Sequence, residues 1–223
     1  MARMTSAPST PSASLTALTV GFDLDMTLID SRPGIKAAYQ AFSAETGVAI
    51  DADLAVSRLG PPLQHELAHW FPAEEIDERV VQYRALYPTY AITPTLAMPG
   101  ARDAIQAVRE AGGRAIVVTA KNEPHARLHL THLGIDPDAV IGGLWAEGKA
   151  EALREHGAGV YVGDHTGDVR GAARAGAVSV AVATGPCDEA ELRAAGADVV
   201  LPDLTEFRAW LAGYRAREAS YLP

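Results

Sequence analysis

Hydrophobic and polar positions follow two regimes along the chain. Short runs rich in Val, Ile and Ala occur at LTALTVGF, GRAIVVTA, DAVIGGL, GVYVGD, AVSVAVAT and ADVVLP. They show no polar face, which is the pattern of strands covered on both sides. Between most of them apolar residues recur at helical spacing, as in PGARDAIQAVREAGG, EPHARLHLTHLGI, GKAEALREHG and GDVRGAARAGA. Gly112, Gly134, Gly157 and Gly176 each follow such a segment, where a left-handed residue ends a helix. The alternation predicts an α/β fold, a doubly wound parallel sheet with helices on both faces.

Residues 31–94 break the alternation and offer helical patterns only: PGIKAAYQAFSAETG after a capping Ser31, then PLQHELAHWF and AEEIDERVVQYRALY. These residues are expected to form a small all-helical cap inserted after the first strand. The core then comprises residues 17–30 and 95–215, and residues 1–16, rich in Ser, Thr, Pro and Ala, form a disordered tail. The insertion begins where the first strand ends, at Asp23. Ligands of open α/β sheets bind at that edge.

Composition narrows the partners. The chain has 223 residues, 48% hydrophobic and 21% charged, with a net charge of −9. A negative field of this size argues against nucleic acid and membrane surfaces as partners. It leaves room for a small anion where a metal ion and a lysine invert the local sign. A single cysteine, Cys187, has no disulfide or CxxC partner, which fits a cytoplasmic location.

Polar residues gather at the strand ends. VGFDLDMTLIDS, residues 20–31, ends a strand in Asp23 and Asp25 with Thr27 following. VVTAK supplies Thr119, GKAEAL supplies Lys149, and VGDHTGD supplies Asp164 and Asp168. Each alone has an ordinary explanation as a helix cap, a strand residue or a solvated lysine. Together they put two carboxylate pairs on one sheet edge, where like charges repel and call for a cation. Hard oxygen ligands suit Mg²⁺. His65 and His69 lie one helical turn apart, but without a third ligand they read as cap packing.

These residues resemble the four motifs of the haloacid dehalogenase-like superfamily, in its phosphatase branch. Asp23, Asp25 and Thr27 match the DxDxT motif, Thr119 the second, Lys149 the third, and Asp164 with Asp168 the GDxxxD motif. The similarity runs from about residue 18 to about residue 204, and FDLDMTLIDS and VGDHTGDVRGAARAGAVSVAV resemble phosphoglycolate phosphatase-like members beyond the motifs. Two positions depart from the pattern: Met26 stands where relatives carry Gly, and His165 where many carry a small residue.

The resemblance implies a Mg²⁺-dependent phosphatase of a small phosphorylated metabolite that works through a phosphoaspartate. Asp23 would be the nucleophile and Asp25 the acid–base group. Mg²⁺ would be held by Asp23, Asp164 and the Asp25 backbone carbonyl. Thr27, Thr119 and the Ala120 backbone N–H would bind the phosphoryl group, with Lys149 the balancing cation. Asp168 would hold Lys149 or a metal-bound water. Arg58, in the cap loop RLGPPL, would meet a substrate carboxylate or second phosphate. A phosphomutase or pyrophosphatase with the same motifs stays open, as do a non-catalytic binding protein and a monomeric or homodimeric state. A receiver domain would need neither the helical insertion nor the second carboxylate of DLD.

Overall fold

The computed structural model describes residues 18–220; the tail expected over 1–16 lies outside them. Strands β1 (Thr19–Phe22), β4 (Arg114–Val118), β5 (Ala139–Ile141), β6 (Val160–Gly163), β7 (Val178–Val182) and β8 (Val199–Leu201) form one parallel sheet in the order β5-β4-β1-β6-β7-β8. The other two strands, β2 (Ile29–Asp30) and β3 (Leu96–Ala97), pair antiparallel.

Alternate residues of each central strand enter opposite layers, which is why the strands read as unbroken apolar runs. On one face Val20, Phe22, Val117 and Val162 pack with α5 (Ala101–Glu110), α6 (Glu123–Leu133) and α10 (Phe207–Ser220). On the other, Ile116, Val118 and Tyr161 pack with α7 (Lys149–Glu155) and α8 (Thr166–Ala175). Helix α9 (Glu189–Ala194) covers β7 through Leu192 and Ala181. Gly112, Gly134, Gly157 and Gly176 all adopt the left-handed conformation expected of helix stops. The last helix continues to Ser220, past the core limit of 215 read from the pattern.

Between β2 and β3 the chain is helical: α1 (Arg32–Thr46), α2 (Ala52–Ser57), α3 (Leu63–Leu67) and α4 (Ile76–Ala91). These helices bury a separate apolar cluster around Tyr39, Phe42, Leu67, Tyr83 and Tyr87. The Tyr39 and Tyr83 rings lie 4.8 Å apart, and Phe42 meets Tyr83 edge-on at 5.5 Å. The β2–β3 ribbon carries the chain into and out of this insertion. Neither it nor α2 shows in the sequence pattern, because two- and six-residue elements are too short for a period.

Two local details differ from the sequence expectation. Ser31 occupies the residue before α1 without a side-chain cap bond, and a proline in the first turn sets the helix start instead. Helix α4 also runs through Pro88 rather than ending before it. Pro88 has no N–H, so the Arg84 carbonyl loses its helical donor. Among the described residues, no helix is long and apolar enough to cross a membrane.

Candidate active site

Strand β1 lies between β4 and β6, so its carboxyl end opens into a crevice with neighbours on both sides. Asp23 leaves the sheet there while its N–H still donates to the Val162 carbonyl at 2.8 Å. The chain then folds back sharply. The Leu24 carbonyl accepts from the N–H groups of Thr27, Leu28 and Ile29 at 3.3, 2.9 and 3.0 Å. The chain through this turn presents both Asp23 and Asp25 to one cavity.

Met26 sits inside the turn at φ 60°. A glycine adopts this conformation freely, whereas an L side chain costs about 1–2 kcal/mol there. Methionine is held in it by burial of its side chain and by the Thr184 hydroxyl, which donates to its carbonyl at 2.6 Å. The departure at this position therefore strains the backbone without occupying the cavity. His165 likewise has a local task. Its Nδ1 accepts from the Gly167 N–H at 2.9 Å as the cap of α8, and its ring packs against Trp145 at 5.0 Å.

Lys149 is fully buried at the start of α7. Its ammonium lies 3.0 Å from Asp23 Oδ1, donates to Asp168 Oδ1 at 2.6 Å, and donates to the Tyr161 hydroxyl at 2.8 Å. Tyr161 comes from β6, opposite Gly21 of β1, where a Cβ would meet the Tyr161 ring at 2.9 Å. Gly21 thus gives Tyr161 room to reach the lysine. The second Asp168 oxygen accepts from the His165 N–H at 3.2 Å, so this carboxylate both anchors Lys149 and closes the capping box of α8.

Asp164 follows β6, and its Oδ1 accepts from the Thr27 hydroxyl at 2.8 Å. Thr27, expected at the phosphoryl group, is fully buried and uses its hydroxyl to orient Asp164. The other side of Asp164 is closed by Gly185, where any Cβ would collide with the carboxylate. Thr119 and Ala120, beyond β4, line the cavity with Asp23 and Asp25.

Three buried carboxylates, Asp23, Asp164 and Asp168, thus bring oxygens within 4.8 Å of one another around one ammonium. Burial raises the Asp23 pKa to about 6, with Lys149 opposing and Asp168 and Asp25 adding to the rise. Burial, then Asp168 and Asp23, pushes Asp164 well above the ordinary carboxylate range. For Lys149 burial favours the neutral form, but Asp168 and Asp23 outweigh it and keep the ammonium protonated.

The sequence reading missed Lys121. Its ammonium stands 3.0 Å from Asp25 Oδ1 and 2.8 Å from the Tyr87 hydroxyl of α4. Burial would raise the Asp25 pKa, but Lys121 and then Ser31 outweigh it and hold this carboxylate below the ordinary range. The signal was present in VVTAK, two residues after Thr119, but its partners come from the cap and the first strand.

Tyr87 also shares a hydrogen bond with His129 Nε2 at 3.0 Å and stacks on His125 at 4.6 Å. Burial first, then the Lys121 charge, pushes His129 down to about 3 and His125 to about 4. Between these values and the ordinary 6.5 the unfolded chain binds protons that the fold refuses, so their stabilising effect is full above pH 6.5 and fades as pH falls. We expect parent protein to lose up to about 2 kcal/mol more stability than His129→Gln between pH 6.5 and 5. Urea melts of both proteins at the two pH values test this, and parallel losses would refute the neutral, buried histidine.

Cap and core residues line a cavity that opens to solvent. Asp23, Asp25, Thr119 and Lys121 line its inner end, and Tyr39, Tyr83, Arg84 and the 58–64 loop line its cap side. Gly60 in that loop lies against the core, where a Cβ would stand 3.0 Å from His165 and 3.2 Å from Trp145. Arg58 lines the cavity, but its guanidinium is bound by both Glu66 carboxylate oxygens, the Nε contact at 2.9 Å. Trp70 donates to the same Glu66 at 2.9 Å.

The family model for haloacid dehalogenase-like hydrolases matches residues 20–173, and one for HAD-like hydrolases matches residues 149–207. This chain belongs to the haloacid dehalogenase-like hydrolases. Among similar structures, a haloacid dehalogenase-like hydrolase from Streptococcus pneumoniae superposes with a TM-score of 0.76 at 26% identity, over 87% of this chain and 98% of that one. A predicted phosphoglycolate phosphatase from Haemophilus somnus shares the fold, with a TM-score of 0.75 at 20% identity over 87% of this chain and 98% of that one. Tyrosine-protein kinase PtkA of Mycobacterium tuberculosis is 34% identical over 178 residues, 74% of this chain. The chain spans 61% of the length of the curated relatives it matches.

The residues of this haloacid dehalogenase-like site fit a divalent cation. Three buried carboxylates gather around one ammonium, and Asp23 Oδ1 has that ion pair alone, with no hydrogen bond. Hard oxygen donors left with excess negative charge are the chemistry that Mg²⁺ satisfies.

Proposed function

We propose that this chain is a Mg²⁺-dependent phosphatase of a small, phosphoglycolate-like phosphomonoester, working through a phosphoaspartate on Asp23. The supporting observation is the position of the Asp23 carboxylate. It stands at the inner end of the cavity between cap and core, backed by Lys149 at 3.0 Å and facing the same space as Asp25.

In this scheme Asp23 attacks phosphorus and the leaving oxygen departs into the cap side of the cavity. Asp23, Asp164 and the Asp25 backbone carbonyl would hold Mg²⁺, which would supply charge neutralisation for the phosphoryl group. Thr119 and the Ala120 N–H orient the phosphoryl oxygens. Asp25 protonates the leaving oxygen and then takes a proton from the water that hydrolyses the phosphoaspartate. Lys121 favours the anionic state of Asp25 needed for that second step. An arriving phosphoryl dianion offsets the lysine's charge and favours the protonated state needed for the first. Thr27 and Asp168 keep Asp164 and Lys149 in place. The cap excludes water during the first step.

The kinase name of the 34%-identical relative supports a second reading, transfer of the phosphoryl group from Asp23 to an acceptor hydroxyl instead of water. A panel of phosphorylated metabolites and an aryl phosphate, assayed with Mg²⁺ and again after chelation, separates the possibilities. Phosphate release that needs Mg²⁺ and no acceptor is expected. Release only when an acceptor is supplied would favour the transferase, and chelator-resistant release would remove the metal from the scheme.

A further inference from the structure

Charged side chains lining the cavity pair off, with one remainder. Asp23 stands against Lys149, Asp25 against Lys121, and Glu66 against Arg58. Arg84 of α4 lines the same cavity, is half-buried, and has no ion-pair partner among the described residues. It precedes Tyr87 by three residues on α4, and Tyr87 in turn meets Lys121, the partner of Asp25.

We propose that Arg84 is the specificity-determining residue of the cap, receiving a second anionic group carried by the leaving group of the phosphomonoester. This inference rests on the phosphatase function proposed above. It transfers to Arg84 the role that the sequence suggested for Arg58, whose guanidinium is already neutralised by Glu66. A half-buried guanidinium without a counter-ion binds a carboxylate or phosphate through paired, charge-assisted hydrogen bonds. The Arg84 charge also helps keep His125 of α6 neutral, after burial and Lys121.

The test compares 2-phosphoglycolate, which carries a second anion, with ethyl phosphate and p-nitrophenyl phosphate, which do not. Parent protein, Arg84→Gln, Arg84→Lys and Arg58→Gln are assayed with Mg²⁺, and melting curves check that each variant is folded. Arg84→Gln is expected to raise KM for 2-phosphoglycolate by about 10- to 100-fold while leaving both esters without a second anionic group within about twofold. Arg84→Lys should recover part of the loss. Arg58→Gln should affect all three esters alike, because it frees the loop. Equal effects of Arg84→Gln on every ester, no effect on any, or no preference of parent protein for 2-phosphoglycolate would overturn the role of Arg84 while leaving the phosphatase intact. Absence of turnover of all three by parent protein would overturn both.

Discussion

Asp23→Asn is expected to lower turnover by about 10⁴-fold or more, the size of effect seen when a covalent nucleophile is removed. The carboxamide keeps the shape of the side chain but cannot form the mixed anhydride with phosphorus. The fold should survive, because the charged carboxylate is an electrostatic burden where it stands. Burial raises its pKa to about 6, and Asp168 and Asp25 repel it. A group whose pKa is higher in the fold than in the unfolded chain weakens stability at pH above that value, so neutralising Asp23 relieves strain at pH 7. We therefore expect a melting temperature equal to or slightly above that of parent protein, together with a smaller rise on adding Mg²⁺. Steady-state assays and thermal melts read the two effects separately. Residual turnover above about 1% of parent would remove Asp23 as nucleophile, since general effects of position and charge do not require that atom.

The second large effect concerns stability. Lys149→Met should lower stability by about 3–5 kcal/mol, the range for breaking a buried ion pair from one side. Its ammonium touches Asp23, Asp168 and Tyr161 and is wholly shielded from water. Removing it leaves three buried carboxylates, Asp23, Asp164 and Asp168, without a protein cation among them. For a chain of this length the corresponding fall in melting temperature is roughly 6–20 °C. Mg²⁺ should restore part of the loss by neutralising the same cluster. The double variant Lys149→Met, Asp168→Asn should melt above the single variant, because it removes one of the repelling charges, and it stands in if the single variant fails to fold. A single variant that melts within about 2 °C of parent would show that Lys149 does not hold the cluster together.

Both expectations use residues that are visible in the sequence as polar exceptions at the ends of apolar runs. Asp23, Thr119 and Asp164 were legible because a buried strand is uniform, so whatever follows it at the sheet edge stands out. Lys149 was legible only in company with them, since a lysine opening a helix is ordinary. Lys121 was overlooked although it lies next to Ala120. Its position depends on Tyr87, 34 residues earlier, and on Asp25 at the end of another strand. Thr27 was placed with the phosphoryl group because the motif contains it, yet its hydroxyl points to Asp164, 137 residues away. Arg58 looked free in a loop sequence and is engaged by Glu66, eight residues on.

The sequence alone determined the α/β order of elements, the helical insertion after the first strand, and the collection of carboxylates at one sheet edge. These follow from burial periodicity and from covalent neighbours, which are local. The tertiary structure alone decided which charges cancel. Pairing at about 3 Å between groups far apart in the chain depends on how helices of the insertion settle over the sheet. No local pattern encodes that distance, and so Lys121 and Arg84 emerged only in three dimensions.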